Sequence, residues 1–344
     1  MTWIRPKVSG AAPPGRGGHA ACALGSKMFV FGGANRSPEA FGDLWSLDTG
    51  GQKYLWTKEN PKAPAGVQLP ARSGATMTRV QGRLYIFGGQ DPETGICFND
   101  VVVFEPESQT WDRVAVKGGS PPTRHAHTAC CFQESRILVF GGASQTGPMN
   151  DVWIFDTASG EWSRPTVKGQ APAPREMHSA VYVEGHGIII YGGRSNGSSA
   201  VLNDVIALDT DKLEWAWRAQ TRHPRCSHAS CALGHGKVVF YGGFTGAEVE
   251  GGVLELDLAT RKFRVACASD GGSSSSEGFH PGARFAHSAV EVEGPASRRQ
   301  VLVFGGVTPE MDIADVALWV GPATVSADDF IPPGPGAVLA SDLD

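Results

Sequence analysis

The hydrophobic pattern of this chain consists of short apolar runs, each of which ends in an aromatic residue followed by two glycines. The run occurs six times, as KMFVFGG, RLYIFGG, RILVFGG, GIIIYGG, KVVFYGG and QVLVFGG. Short runs that are rich in β-branched and aromatic residues and end at turn residues predict β-strands. The glycine pairs begin at Gly32, Gly88, Gly141, Gly192, Gly242 and Gly305, so their spacings are 56, 53, 51, 50 and 63 residues. Self-similarity at such a period predicts a repeat architecture.

Three further sets of residues recur at similar distances from the glycine pairs. Each set occupies equivalent positions in successive units and is called a column. Upstream of each pair is an R-x-x-H motif, at Arg16/His19, Arg124/His127, Arg175/His178, Arg225/His228 and Arg284/His287, whereas the second unit has Arg72 and Ala75. Downstream, an acidic residue opens a further apolar run, at Asp43, Asp100, Asp151, Asp204 and Asp315. An aromatic residue follows this run, at Trp56, Trp111, Trp162, Trp215 and Phe263. Each unit therefore predicts four short strands joined by turns rich in glycine, proline and asparagine.

The sixth unit lacks the aromatic column, and the start of the chain supplies a match for it. The first residues, WIRPKVSGAAPPGR, align with WDRVAVKGGSPPTR and WSRPTVKGQAPAPR of later units. One four-stranded sheet of about 50 residues cannot bury both of its faces, and radial stacking of such sheets solves this problem. We therefore predict an all-β, six-bladed propeller in which the N-terminal strand pairs with residues 315–320 and completes the last blade. Such closure removes two exposed strand edges.

These columns resemble those of the kelch family. The R-x-x-H motif and the acidic residue that opens the next strand are similar to those of short stand-alone kelch proteins such as the Rab9-effector type. The resemblance implies a single propeller domain over residues 1–321. The tail at 322–344 is rich in proline, glycine and alanine, so we expect it to be flexible. The predicted blades span approximately residues 10–59, 66–114, 118–165, 169–218, 222–266 and 280–320 plus 1–8. The Ser-rich insertion at 268–283 has the composition of a linker.

Composition limits the classes of partner. The net charge of −5 gives no general attraction to nucleic acid, and no stretch approaches the ~20 apolar residues that span a bilayer. The seven cysteines have no framework spacing, and the start of the chain lacks the apolar run of a signal peptide. We expect a cytoplasmic monomer with free thiols, a protein or peptide partner, no nucleic acid and no membrane insertion.

The stretch RHAHTACC, residues 124–131, has the residue types of a metal site or an activated thiol. However, Arg124, His127 and Cys130 belong to columns that recur in other blades, which favours a structural role. We expect each repeat arginine to pair with the acidic residue of its unit or with loop carbonyls, because buried arginine must be hydrogen-bonded. The glycine pairs lead into strands rather than a helix, so they predict positive φ or close backbone approach near the blade tryptophan.

Enzymatic kelch proteins provide an alternative interpretation. The tyrosine and histidine copper site of galactose-oxidase-like enzymes has no counterpart, because Tyr191 and Tyr241 occupy the aromatic column. The iron motif of nitrile-specifier proteins, E-x-x-x-D-x-x-x-H, begins at Glu39 and Asp43 but meets Leu47 at the histidine position. We therefore expect no cofactor and no catalytic residue.

Function is expected in the loops that differ between units. The family geometry places the loops after the glycine pairs around one mouth of the central channel. Arg194 directly follows its glycine pair. In this respect the chain resembles substrate-binding kelch domains, in which an arginine at this position binds acidic peptides. The candidate binding residues are Arg36, Glu39, Gln90, Asp91, Glu93, His125, Gln145, Glu176, Arg194, Asn196, Arg222, Phe244, Glu248 and Glu310. The favoured hypothesis is a non-catalytic interaction module, and the alternatives are a metal-dependent enzyme or specifier-like protein and a structural subunit of a larger assembly.

Overall fold

The computed structural model describes residues 2–37, 39–64, 69–195, 200–268, 279–293 and 299–320. Within these ranges the chain forms 27 β-strands and no helix, and 24 of the strands build six four-stranded antiparallel arrays. Each array is one blade, and its four strands follow one another from the centre of the molecule outwards. The all-β, six-bladed fold predicted from the repeat is thus confirmed.

The first three blades are consecutive in the chain. Blade 1 consists of β3 (Ala20–Leu24), β4 (Lys27–Phe31), β5 (Leu44–Asp48) and β6 (Tyr54–Glu59). Blade 2 consists of β7 (Thr76–Val80), β8 (Arg83–Phe87), β9 (Val101–Glu105) and β10 (Thr110–Arg113). Blade 3 consists of β11 (Thr128–Phe132), β12 (Arg136–Phe140), β15 (Val152–Asp156) and β16 (Glu161–Ser163), with a small hairpin of β13 (Ala143–Ser144) and β14 (Gly147–Pro148) in one loop.

The other three blades complete the ring. Blade 4 consists of β17 (Ser179–Val183), β18 (Gly187–Tyr191), β19 (Asp204–Asp209) and β20 (Glu214–Gln220). Blade 5 consists of β21 (Ala229–Gly234), β22 (Lys237–Tyr241), β23 (Val253–Asp257) and β24 (Lys262–Cys267). Blade 6 consists of β25 (Ser288–Glu293), β26 (Arg299–Phe304), β27 (Val316–Val320) and the N-terminal β1 (Thr2–Ile4).

The N-terminal strand closes the ring as predicted. Trp3 in β1 pairs with Trp319 in β27, and Thr2 pairs with Val320. Trp3 is 5% exposed, and its ring lies 4.7 Å from that of Tyr241 in blade 5. One detail was not predicted: β2 (Val8–Ser9) pairs in parallel with β6, so the sheet of blade 1 has a fifth strand.

Apolar clusters fill each of the six interfaces between neighbouring blades. The cluster between blades 6 and 1, for example, brings Trp56 against Phe304, with ring centroids 4.9 Å apart. Burial of such aromatic rings contributes most of the favourable free energy of these interfaces. The core is therefore a ring of six similar interfaces around a channel.

The repeat arginine is the main polar link within each blade. The Arg124 side chain is fully buried, and its two terminal nitrogens donate hydrogen bonds to both carboxylate oxygens of Asp151, at 2.8 and 2.9 Å. The same nitrogen that reaches Asp151 Oδ1 also donates to the Gly141 carbonyl. Equivalent pairs are Arg16–Asp43, Arg72–Asp100, Arg175–Asp204 and Arg284–Asp315. Blade 5 has no aspartate at this position, and Arg225 donates instead to the carbonyls of Gly242 and Gly252.

The glycine pairs lie where neighbouring blades approach most closely. Both glycines of each pair have positive φ, as predicted. A Cβ atom on Gly192 would lie 2.2 Å from the Arg225 carbonyl oxygen of the next blade, and one on Gly193 would lie 2.9 Å from the Cβ of His178. The nearest groups are thus the arginine carbonyl of the next blade and the histidine of the same blade.

The repeat histidines link each blade to the preceding one. His178 Nε2 lies 2.9 Å from the Thr128 hydroxyl of blade 3, and His228 Nε2 lies 2.8 Å from the Ser179 hydroxyl of blade 4. The pairs His19–Ser288 and His127–Thr76 repeat this contact. Burial is the main factor that lowers the pKa of His19 and of His228 to about 3, so these rings are neutral at physiological pH. The column is therefore structural.

Two blade interfaces depart from this histidine–hydroxyl pattern. Between blades 1 and 2, Ala20 replaces the hydroxyl residue and Ala75 replaces the histidine, so both partners are absent together. Between blades 5 and 6, Ala229 occupies the hydroxyl position opposite His287. Neither ring nitrogen of His287 has a hydrogen-bond partner among the described residues.

Deletion of residues 1–8 should lower the melting temperature by about 10 °C. The reason is that loss of a buried tryptophan costs about 3–5 kcal/mol and each kcal/mol shifts the midpoint of a large domain by about 2–4 °C. Calorimetry of the deletion and of Trp3→Ala tests this. Ile4→Ser is the matched control, because Ile4 lies on the same strand but is 43% exposed. An unchanged midpoint after the deletion would contradict closure through β1.

The substitution Ala229→Ser should raise the free energy of unfolding by about 0.5–1.5 kcal/mol, because it gives His287 the hydroxyl partner that the other histidines have. Urea denaturation monitored by tryptophan fluorescence measures the change. The matched control is Ala20→Ser, which adds a hydroxyl at the equivalent position opposite Ala75 and should give no gain. Equal effects of the two substitutions would show that the histidine–hydroxyl contact does not stabilise the interface.

Candidate functional site

A closed ring of backbone hydrogen bonds surrounds one mouth of the channel. It is formed by the residue two positions after each repeat arginine, namely Gly18, Gly74, Ala126, Met177, Ser227 and Ala286. Each of their amides donates to the carbonyl of the corresponding residue in the preceding blade, at 2.8–2.9 Å. All six have φ between 52° and 68°, the left-handed region that L-residues other than glycine seldom adopt. The hydrogen bonds of the ring use main-chain groups alone.

Next to this ring, each blade presents one pair of residues to the mouth. One member directly follows the repeat arginine, the other directly follows the glycine pair, and the two form an antiparallel bridge. From blade 1 to blade 6 the pairs are Gly17/Ala34, Ser73/Gln90, His125/Ala143, Glu176/Arg194, Cys226/Phe244 and Phe285/Val307. The backbone of these pairs is the same in every blade, whereas their side chains differ in every blade.

The mouth opens into a cavity of about 760 Å³ that is lined by residues of all six blades. A concave site of this size is typical of peptide and small-molecule binding. Blades 2, 3 and 4 contribute Gln90, His125 and Arg194 to its wall, whereas blades 5 and 6 contribute Phe244 and Phe285. Blade 1 adds Asn35 and Arg36, so the cavity has a polar half formed by blades 1 to 4 and an apolar half formed by blades 5 and 6.

An ion pair of blade 4 lies in the polar half, next to blade 5. The Arg194 guanidinium lies 3.0 Å from the carboxylate of Glu176, whose side chain is largely buried while that of Arg194 is half exposed. His125, in the neighbouring blade, is half-buried, and burial lowers its pKa whereas the charge of Glu176 acts to raise it. The ring of His125 is thus mainly neutral at pH 7, and it offers one donor and one acceptor nitrogen.

The predicted binding residues divide into three groups. Arg36, Gln90, His125, Arg194 and Phe244 line the cavity, and Glu176 lies beside them through its ion pair with Arg194. Residues that occupy the surrounding loops and do not line the cavity are Glu39, Asp91, Glu93, Gln145, Arg222, Glu248 and Glu310. Asn196 lies outside the described residues, as do residues 269–278 of the Ser-rich insertion and the predicted tail.

Sequence reasoning missed the apolar members of the site. Phe285, Val249, Val307 and Pro309 all line the cavity, and Met177 lies in the backbone ring. The signal was present, because Phe285 directly follows the repeat arginine of its unit and Val307 directly follows its glycine pair. The residue after the repeat arginine and the residue after the glycine pair together mark the wall of the cavity, whether the side chains at these positions are polar or apolar.

The described residues show no constellation for metal or nucleophilic chemistry. No group of three or more histidine, cysteine or acidic residues within the described ranges is arranged to hold a metal ion. Burial raises the pKa of Cys22 to about 11 and that of Cys130 to about 12, so both thiols are protonated at neutral pH. Within the same ranges, no helix has the length and apolar character that crossing a bilayer requires.

The fold and the mouth define a β-propeller with a variable site at the end of its central channel. A family model described as the KLHDC2/KLHL20/DRC7 Kelch-repeats domain matches residues 1–131 and 74–306. The chain therefore belongs to the kelch-repeat family, as the columns of its sequence predicted.

Curated relatives share this repeat but are longer. Acyl-CoA-binding domain-containing protein 4 of Arabidopsis thaliana is 29% identical over 309 residues, which cover 71% of this chain and 45% of the relative. Host cell factor 1 of Homo sapiens is 30% identical over 230 residues, which cover 62% of this chain and 11% of the relative. The flagellar outer arm dynein alpha chain of Chlamydomonas reinhardtii is 32% identical over 245 residues, which cover 67% and 5%. The chain thus spans less than half the length of each of these three relatives.

The pKa of His125 should fall further in the variant Glu176→Gln, because the substitution removes the negative charge that acts to raise it. A nuclear magnetic resonance titration of the histidine Cε1 protons measures the shift. Glu248→Gln is the control, since Glu248 occupies an exposed loop of blade 5 and should leave the titration unchanged. A His125 titration that is identical in Glu176→Gln would contradict the proximity of the two groups.

Proposed function

We propose that the chain is a non-catalytic interaction module that binds a peptide or a protein segment at the channel mouth. The observation that carries this proposal is the contrast between columns: the scaffold residues repeat from blade to blade, whereas the pairs at the mouth differ in all six. Variable positions around a concave site on a rigid scaffold are typical of residues that bind a partner, whereas residues that stabilise the fold recur in each repeat.

The chemistry of the mouth also favours binding. Phe244 and Phe285 offer apolar area, and Gln90, His125 and Arg194 offer hydrogen-bonding groups, as interface centres commonly do. The five repeat histidines line the cavity, but burial lowers their pKa well below the usual value, so they are weak proton acceptors and poorly suited to act as general bases. Membership of the kelch-repeat family supports an interaction role.

The double variant Arg36→Glu, Arg194→Glu should change the set of proteins that the immobilised chain captures from a cell extract. Both side chains line the cavity, so reversal of their charges alters what the mouth accepts. Quantitative mass spectrometry of the captured proteins, compared with wild type, is the measurement. Identical sets would mean that the mouth is not the binding surface.

The matched control is Arg83→Glu, Arg136→Glu. These arginines begin β8 and β12, at the ends of the strands remote from the glycine pairs, and they are 55% and 48% exposed. The control carries the same charge change and should leave the captured set unchanged. Elemental analysis of the purified chain addresses the enzymatic alternative, since stoichiometric iron or copper would contradict a non-catalytic module.

A further inference from the structure

The apolar half of the mouth is a continuous wall formed by two blades. Phe244 of blade 5 and Phe285 of blade 6 lie with ring centroids 6.4 Å apart. Val249 pairs with Phe244 across its loop, and Val307 pairs with Phe285, so aliphatic side chains flank both rings. All four residues are partly exposed in the cavity. Partly exposed aromatic rings at the centre of a concave site are typical anchors for an apolar side chain of a partner.

The polar half of the mouth has hydrogen-bonding groups that the chain itself leaves available. The ring of His125 and the amide nitrogen of Gln90 make no hydrogen bond within the described residues. Arg194 is half exposed, and its charge is largely balanced by Glu176. This half can therefore receive the polar backbone of a peptide whose side chain lies on the apolar wall, without requiring a charged group there.

The loops around the mouth are acidic. The six loops after the glycine pairs contain seven carboxylates, at Glu39, Asp91, Glu93, Glu248, Glu250, Glu310 and Asp312, and two guanidiniums, at Arg36 and Arg194. Glu93, Glu248 and Glu310 are exposed and form no ion pair within the described residues. Arg222, in the loop before Arg225, adds a third positive charge, so carboxylates remain in excess around the mouth. This excess favours a positively charged partner and opposes an acidic one.

We infer that the partner is a basic peptide segment with a large apolar side chain at its centre. The apolar side chain packs between Phe244 and Phe285, the peptide backbone contacts His125 and Gln90, and lysine or arginine residues on either side of the anchor meet the acidic loops. This inference rests on the proposed function. It departs from the acidic peptide that the arginine after the glycine pair suggests, because Glu176 already pairs with that arginine.

Selection from a displayed library of random short peptides tests the inference on the full chain. The enriched peptides should combine an aromatic or large aliphatic residue with lysine or arginine within a few positions. Each enriched peptide is then synthesised with a fluorophore, and its affinity is measured by fluorescence anisotropy. Enrichment of aspartate or glutamate, or the absence of an apolar consensus, would overturn the inference.

The apolar contact is tested with Phe244→Ala, Phe285→Ala, which should weaken the selected peptides by roughly tenfold or more at any ionic strength. Phe244→Leu, Phe285→Leu keeps an apolar wall and should recover most of the affinity. The control Leu55→Ala, Val265→Ala removes apolar side chains that are about half exposed on the outer strands, and it should have no effect. Full affinity in the alanine variant would contradict the apolar anchor.

The charge contact is tested with Glu93→Gln, Glu248→Gln, Glu310→Gln. Affinity should fall several-fold at low ionic strength, and the difference should vanish at high ionic strength, because salt screens exposed charges. Glu107→Gln, Glu134→Gln, Glu214→Gln is the matched control. Glu107 and Glu134 lie in turns and Glu214 begins β20, and all three are exposed on the side of the blades away from the mouth. Equal losses in the two triple variants would show that only net charge matters and would overturn the inference.

Failure of this inference and failure of the proposed function give different results. Acidic or purely polar peptides that lose binding in Arg36→Glu, Arg194→Glu would overturn the inference and leave a binding role for the mouth intact. Selected peptides whose affinity is unchanged in every mouth variant would contradict both. A selection that enriches no sequence would also count against both.

Discussion

The structure depends on the repeat arginine, because its side chain binds groups of its own blade while its main chain binds the preceding blade. The guanidinium of Arg124 binds Asp151 and the Gly141 carbonyl within its own blade. Its backbone amide donates to Phe98 of the preceding blade, and its carbonyl accepts from the amide of Gly89 there. Breaking a buried ion pair of this kind costs about 3–5 kcal/mol. A defect at one arginine therefore loosens a loop and an interface at once.

The residues that stabilise the propeller are therefore different from those whose side chains vary at the channel mouth. Glycine pairs, arginines and histidines lie between blades, and a ring of backbone hydrogen bonds borders the channel mouth. The bridge pairs beside that ring, such as Glu176/Arg194 and Phe285/Val307, add side chains to a backbone that is already fixed. The side chains of each pair can thus differ between blades, because a change in one pair leaves the backbone hydrogen bonds of the ring in place. The asymmetric mouth is compatible with a nearly symmetric scaffold for this reason.

Much of the fold could be predicted from the sequence, because its determinants recur at fixed offsets. The pairing of Arg124 with Asp151 and of β1 with β27 followed from columns that repeat. The left-handed conformation of Ala126 and Met177 could not be predicted, since neither residue type favours it and a hydrogen bond to another blade imposes it. The site was predicted only in part. His125 of the stretch RHAHTACC lines the mouth. The apolar wall combines Phe285, which follows a repeat arginine, with Phe244, which follows a glycine pair, and the fold of the two blades is needed to show that these positions meet.

The closure of the ring also bears on how the protein is made. Trp3 leaves the ribosome more than three hundred residues before its partner Trp319. At ordinary rates of synthesis, about 5–20 residues per second, β1 waits on the order of tens of seconds with both edges unpaired. During that time the side chain of Trp3 and the unpaired edge of β1 are exposed to other chains. The strand that makes the finished ring resistant to unfolding is thus the segment that most needs protection while the chain is incomplete.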